Sequence, residues 1–164
     1  MIAASYAPIF AVTKPISDET NSSRLDYGDW QVSCFPTDQT AHCSMTQIQA
    51  DPETKQRVLA MEIRSDKGKT LTAILVMPFG LGIANGILLQ IDNGETGNSL
   101  PFTTCRPVGC LVPFIIDNDK AEALKKGTKL TVTASADGSA QPVVFAVSLN
   151  GFADALDRLV DFRK

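Results

Sequence analysis

Four cysteines are the residues in this chain whose type and spacing carry the most chemistry. Cys34 and Cys43 are separated by eight residues, and Cys105 and Cys110 by four. Three chemistries are open to such a set: two local disulfides, a zinc site, or buried free thiols. Zinc favours pairs spaced C-x2-4-C; the second pair fits that marginally and the first does not. His42 beside Cys43 could add a ligand, but neighbours on a strand point to opposite faces. An even count in two tight pairs favours local disulfides formed in an oxidising compartment, and therefore export. Neither pair has the C-x-x-C spacing of a redox catalyst.

Other constellations are weaker. Pro78-Phe79-Gly80-Leu81-Gly82-Ile83-Ala84-Asn85-Gly86 invites comparison with a phosphate loop, but Asn85 stands where G-x-G-x-x-G needs its third glycine. A strand, not a helix, follows it. The segment reads as a glycine-bearing connection between two strands; a sharper alternative is an exposed apolar tip in which Phe79, Leu81 and Ile83 touch a partner. Asp26, Asp29, Asp92 and Glu95 lie near turns with no spacing that specifies shared acid–base work. Asp92, Asp117 and Asp119 lack the order of a calcium loop. No serine lies in G-x-S-x-G, and His42 is the single histidine. The sequence therefore predicts no catalytic residue, no cofactor, no metal and no enzymatic activity. Lys125, Lys126 and Lys129 read as the wet side of a helix and its exit.

The elements that must position these residues are mostly strands. Residues 30–34 and 43–48 alternate apolar and polar side chains, with Cys43, Met45 and Gln47 on one face. The polar turn between them makes a hairpin that brings Cys34 opposite Cys43. Strands follow at 57–64, 71–77 and 86–92, and Asn93-Gly94 is a turn signal. Residues 102–105 and 110–115 form a second hairpin, with Cys105 and Cys110 at the two ends of its turn. Lys129 to Ser135 and the run carrying Val143, Phe145, Val147 and Leu149 complete the strands. Asp119-Lys120-Ala121-Glu122 resembles a capping box, which starts a short helix that Gly127 stops. A final helix places Phe152, Leu156, Leu159 and Val160 inward and sets Asp154 four residues before Arg158. Trp30 is the expected core anchor.

Eight or nine short antiparallel strands, each with an apolar face, must stack as two sheets or close a barrel. The prediction is an all-β sandwich with one or two short helices. Of 164 residues, 44% are hydrophobic and 20% charged, which excludes wholesale disorder. A net charge of −3 argues against nucleic acid and anionic membranes as partners. No stretch is long and apolar enough for a transmembrane helix. Residues 1–25 read as a flexible N-terminal segment or linker following a removed signal peptide, and 26–164 as one domain.

Several of these residues together resemble a known family. They are Tyr27-Gly28-Asp29-Trp30-Gln31-Val32-x-Cys34; Cys43-x-Met45-x-Gln47; Met77-Pro78-x-Gly80-Leu81 with Gly86-x-x-Leu89-x-Ile91-Asp92; Cys105-x-Pro107-x-Gly109-Cys110; and Ser148-Leu149-x-Gly151-Phe152. The ordered set is similar to the invasion-associated locus B family of exported Gram-negative bacterial proteins. That resemblance implies an immunoglobulin-like β-sandwich located in the periplasm, at the outer membrane or secreted. It implies a non-enzymatic protein binding another macromolecule, with some members implicated in invasion of host cells. It supplies no catalytic residues. A periplasmic assembly or stress factor, or an enzyme with an unfamiliar site, are the alternative functions.

Overall fold

The structure, a computed structural model, describes residues 23–36, 41–66 and 70–162. Residues 37–40 and 67–69, where turns are expected, and most of the expected N-terminal linker lie outside these residues. Among the described residues, ten strands form two antiparallel sheets. The broad sheet has the order β1-β2-β3-β4-β5-β8-β7, from β1 (Ser23–Tyr27), β2 (Trp30–Pro36), β3 (Ala41–Ala50), β4 (Arg57–Ser65), β5 (Leu71–Met77), β8 (Gly109–Ile116) and β7 (Thr104–Arg106). The narrow sheet has the order β10-β9-β6, from β10 (Pro142–Ser148), β9 (Lys129–Ser135) and β6 (Leu88–Ile91). Two α-helices among the described residues, α1 (Asn118–Lys126) and α2 (Phe152–Asp161), and a short 3-10 turn at Ile83–Asn85 accompany the sheets.

Side-chain alternation decides what each face does. On the broad sheet Val32, Met45, Met61, Ile63, Ala73, Leu75 and Val112 turn inward. They join Leu130, Val132, Ala134 and Val147 of the narrow sheet in one apolar core. Helix α2 closes the β1–β4 side of that core with Phe152, Ala155, Leu156 and Leu159. The expected two-sheet, all-β architecture is found, with ten strands in place of eight or nine. The strand that sequence reading missed is β1, which includes residues 23–25 of the expected linker. Its four polar or edge-exposed residues Ser23–Asp26 give little hydrophobic signal, because β1 is the outermost strand.

Three local expectations differ from the structure: the cap of α1, the inward place of Val160 and the Asp154–Arg158 pair. Helix α1 is capped by Asp117, not Asp119: the Asp117 carboxylate accepts the Lys120 N–H at 2.8 Å. That bond holds the Asp117 pKa below the ordinary carboxylate range, so the cap acts above that range and fades as pH falls through the lowered value. Gly127 ends the helix in extended conformation. Its missing side chain serves space instead, since a Cβ would sit 2.8 Å from both Ile91 and Leu149. In α2, Ala155 is buried where Val160 was expected, and Val160 is exposed. Arg158 lies over the Phe162 ring at 4.0 Å and makes no ion pair with Asp154 among the described residues.

Candidate functional site

The cysteines come together as two disulfides, Cys34–Cys43 and Cys105–Cys110. Each joins residues directly opposite in register, across β2/β3 and across the tight β7/β8 hairpin. The Cα separations are 4.1 and 3.9 Å, close to the ~4.5 Å of an antiparallel pair without backbone bonds, where side chains approach nearest. The first bridge is set against the core through Cys34 and Cys43, while in the second Cys110 is buried and Cys105 exposed. Both clamp hairpins.

A second cluster ties the ends of the chain together. The Trp30 indole N–H donates to Ser148 O at 2.9 Å, and its ring meets Phe152 edge-on with centroids 5.1 Å apart. Gln47, the one buried polar residue among those described, donates to Ser148 O at 2.8 Å and accepts from Ser148 N at 3.2 Å. Ser148 Oγ donates to Asp29 at 2.6 Å, and Asp29 N–H donates to Asn150 O at 3.1 Å. Gly28 (φ 57°) and Gly151 (φ 81°) allow the two turns to touch, since a Cβ on Gly151 would lie 2.0 Å from Tyr27 O. Residues from the first, second and last resemblance motifs thus converge on one latch. No imidazole reaches Ser148, whose hydroxyl also accepts Asn150 N–H at 3.2 Å. The arrangement fastens turns, with the Ser148 hydroxyl engaged between the Asp29 carboxylate and the Asn150 N–H.

The remaining candidates separate. His42 is exposed on β3 opposite Phe35. Asp92 accepts the backbone N–H groups of Thr128 and Lys129 at 3.1 and 2.9 Å, fixing the start of β9. Asp26 accepts from Gln31. Lys125 bonds Asp157 at 2.6 Å across the two helices, and this partner raises its pKa. Among the described residues no three metal-ligating side chains gather. At the apolar tip Phe79 is 62% and Ile83 51% exposed, but Leu81 is buried and bridges to Ala136. The tip therefore presents two side chains, not the expected three.

What the fold leaves uncovered is the outer face of the broad sheet. Its register aligns Arg24, Ser33, Ser44, Arg64, Thr72 and Ile115 in one row across six strands. Asp26, Gln31, Thr46, Glu62, Ile74 and Pro113 form the next. The twist of β1–β4 makes an open trough of about 470 Å³ floored by hydroxyl and amide side chains, including Gln31, Ser33, Ser44 and Thr46. Its charged lining is Arg24 with Asp26, Asp29 and Glu62, and Glu62 pairs with the neighbouring Arg64 at 2.6 Å. Phe35 and Ile48 line the trough and are 50% and 61% exposed. Sequence reading missed this surface because its residues come from four strands and look individually like solvated positions.

Comparisons with known proteins agree on one family. The model of the invasion associated locus B (IalB) protein family matches residues 30–160. An invasion protein B homolog of Brucella abortus (strain 2308) is 46% identical over 133 residues, covering 81% of this chain and 76% of its own. Invasion protein B of Bartonella bacilliformis is 31% identical over 160 residues, covering 94% and 86%. The crystal structure of invasion associated protein B from Bartonella henselae superposes with a TM-score of 0.80 at 28% identity. That match covers 87% of this chain and 97% of the other.

Proposed function

This chain belongs to the invasion associated locus B family, and from that membership we propose that it is an exported envelope protein that binds another macromolecule and contributes to invasion of host cells. The observation that carries the reading is the uncovered trough on the broad sheet. A surface of hydroxyls, amides and paired charges around a few exposed apolar side chains matches the mixed composition of transient protein interfaces. Two disulfides support export, because such bridges persist in oxidising compartments. Among the described residues no helix is long and apolar enough to cross a membrane. The functional reading is non-enzymatic: the polar clusters described above are each spent on caps, turns and the latch.

Phe35 and Ile48 are the side chains to alter, since both are exposed and neither belongs to the latch. In a strain lacking this gene, complementation with the normal protein is expected to restore uptake of bacteria into cultured host cells. Complementation with Phe35→Asp/Ile48→Asp is expected to leave uptake reduced several-fold, with the variant exported at normal level. Full restoration by the double variant would remove the trough from the account. Phe79→Ser/Ile83→Ser in the same assay separates the tip, a smaller second contact, from the sheet face.

A further inference from the structure

Each sheet has two edges, and an open edge is a template for pairing with another chain. Three of the four edges here are covered or short. The β10 edge receives side-chain bonds from Gln47 and Gln49 to Ser148 O and Ala146 O. The β6 edge is covered by the following segment, with Ile87 and Leu100 exchanging backbone bonds and Gly97 N–H donating to Leu89 O. Strand β7 is only three residues long and is bolted to β8 by Cys105–Cys110. Only β1 carries none of these protections among the described residues.

The free groups of β1 can be identified. Tyr27 and Trp30 flank the two-residue turn Gly28-Asp29, whose positive φ at its first position suits a tight hairpin. Such a flanking pair exchanges both backbone bonds, so alternation directs Ser23, Leu25 and Tyr27 to β2. The N–H and C=O groups of Arg24 and Asp26 then point away from the sheet.

We propose that β1 pairs with β1 of a second copy of this chain, antiparallel about a two-fold axis at Leu25. The register follows from the sequence Ser23-Arg24-Leu25-Asp26-Tyr27. Centring on Leu25 sets Arg24 opposite Asp26 of the second copy, and Asp26 opposite its Arg24. These are the residues with outward backbone groups, so each pair closes two backbone bonds, making four across the axis. Their side chains meet on the outer face as two ion pairs. Arg24 has no ion-pair partner within the described residues, and Asp26 bonds only Gln31 through one oxygen. On the inner face the two Leu25 side chains, each 40% exposed, come together at the close, non-bonded position. Shifting the register by one residue would align Leu25 or Tyr27 bonds already used by β2. The assembly is a continuous fourteen-stranded sheet with two troughs side by side. Isologous pairing of this kind closes on itself and does not propagate.

The test is sedimentation of the full chain, disulfides intact, up to about 1 mM. A concentration-dependent dimer is expected. Arg24→Asp alone and Asp26→Arg alone place like charges opposite one another twice, and each is expected to weaken the dimer by about tenfold. An equimolar mixture of the two single variants is expected to recover association, because each supplies the charge the other lacks. The double variant Arg24→Asp/Asp26→Arg is expected to dimerise like the original. Unfolding midpoints within error of the parent establish that the variants are folded. A full-length protein that stays monomeric throughout would overturn the proposal, which includes the case where residues 1–22 of the same chain occupy the edge. A dimer indifferent to all the charge exchanges would overturn it equally.

Discussion

Replacing Trp30 with alanine is expected to lower folding stability by about 4 kcal/mol, read as a shift in the denaturant midpoint at unchanged slope. The indole is 1% exposed and fills the space between β2 and α2. Most of the loss is the cavity and the edge-on contact with Phe152. The hydrogen bond counts for less, because Ser148 O keeps the Gln47 amide as a donor when the indole is gone. Trp30→Phe is therefore expected to lose only about 1–2 kcal/mol. Equal losses from the two variants would mean that the bond, not the packing, dominates. A loss under about 1 kcal/mol for Trp30→Ala would contradict the view that this latch joins the first hairpin to the last helix.

The second large effect is expected from the disulfides. On loop entropy, Cys34–Cys43 stabilises by about 2.5 kcal/mol and Cys105–Cys110 by about 2 kcal/mol, for sequence separations of 9 and 5. Domains of this size have only about 5–15 kcal/mol in total, so reduction of both bridges removes a large share. Cys34→Ala/Cys43→Ala should cost more than Cys105→Ala/Cys110→Ala, since Cys34 and Cys43 both pack in or against the core cluster, whereas in the second bridge Cys110 is buried but Cys105 is exposed. Urea unfolding of the two double variants, with and without reductant, measures the order. Reductant should have no further effect once both pairs are replaced. The reverse order, or a parent protein insensitive to reductant, would contradict the clamped-hairpin account.

What the sequence made legible was whatever depends on near neighbours. The two-residue alternation of 30–34 and 43–48 identified the hairpin and its facing cysteines. Turn chemistry at 106–109 did the same for the second pair. Lys129–Ser135 appeared as a strand because its inward and outward positions separate cleanly. Less legible was anything set by distant partners. Gln47 falls on the apolar face of β3, but the reason a glutamine is tolerated there is Ser148, 101 residues away. Leu81 looked like part of an exposed loop until its bridge to Ala136 buried it. Strand β1 was hidden because an edge strand needs one covered flank only, so its polar residues gave no alternation to detect. Asp119 satisfied a local capping pattern, yet the chain turns into the helix two residues earlier, where Asp117 reaches Lys120 N–H.

The candidate site followed the same logic. The ordered motifs pointed to a family, but the structure assigns Gly28, Asp29, Trp30, Gln47, Ser148, Gly151 and Phe152 to holding the fold. The surface proposed for a partner is made of ordinary side chains whose only distinction is their shared, uncovered face. Such a surface can be found only once the strand register is known.

Binding of the purified, oxidised protein to intact host cells tests the central claim most directly, with the parent and Phe35→Asp/Ile48→Asp compared side by side. The expected result is saturable binding by the parent and its loss in the variant, with both proteins unfolding at the same denaturant concentration. Equal saturable binding by the two, or no saturable binding by the parent, would contradict the assignment of the broad sheet's outer face as the surface that meets the host.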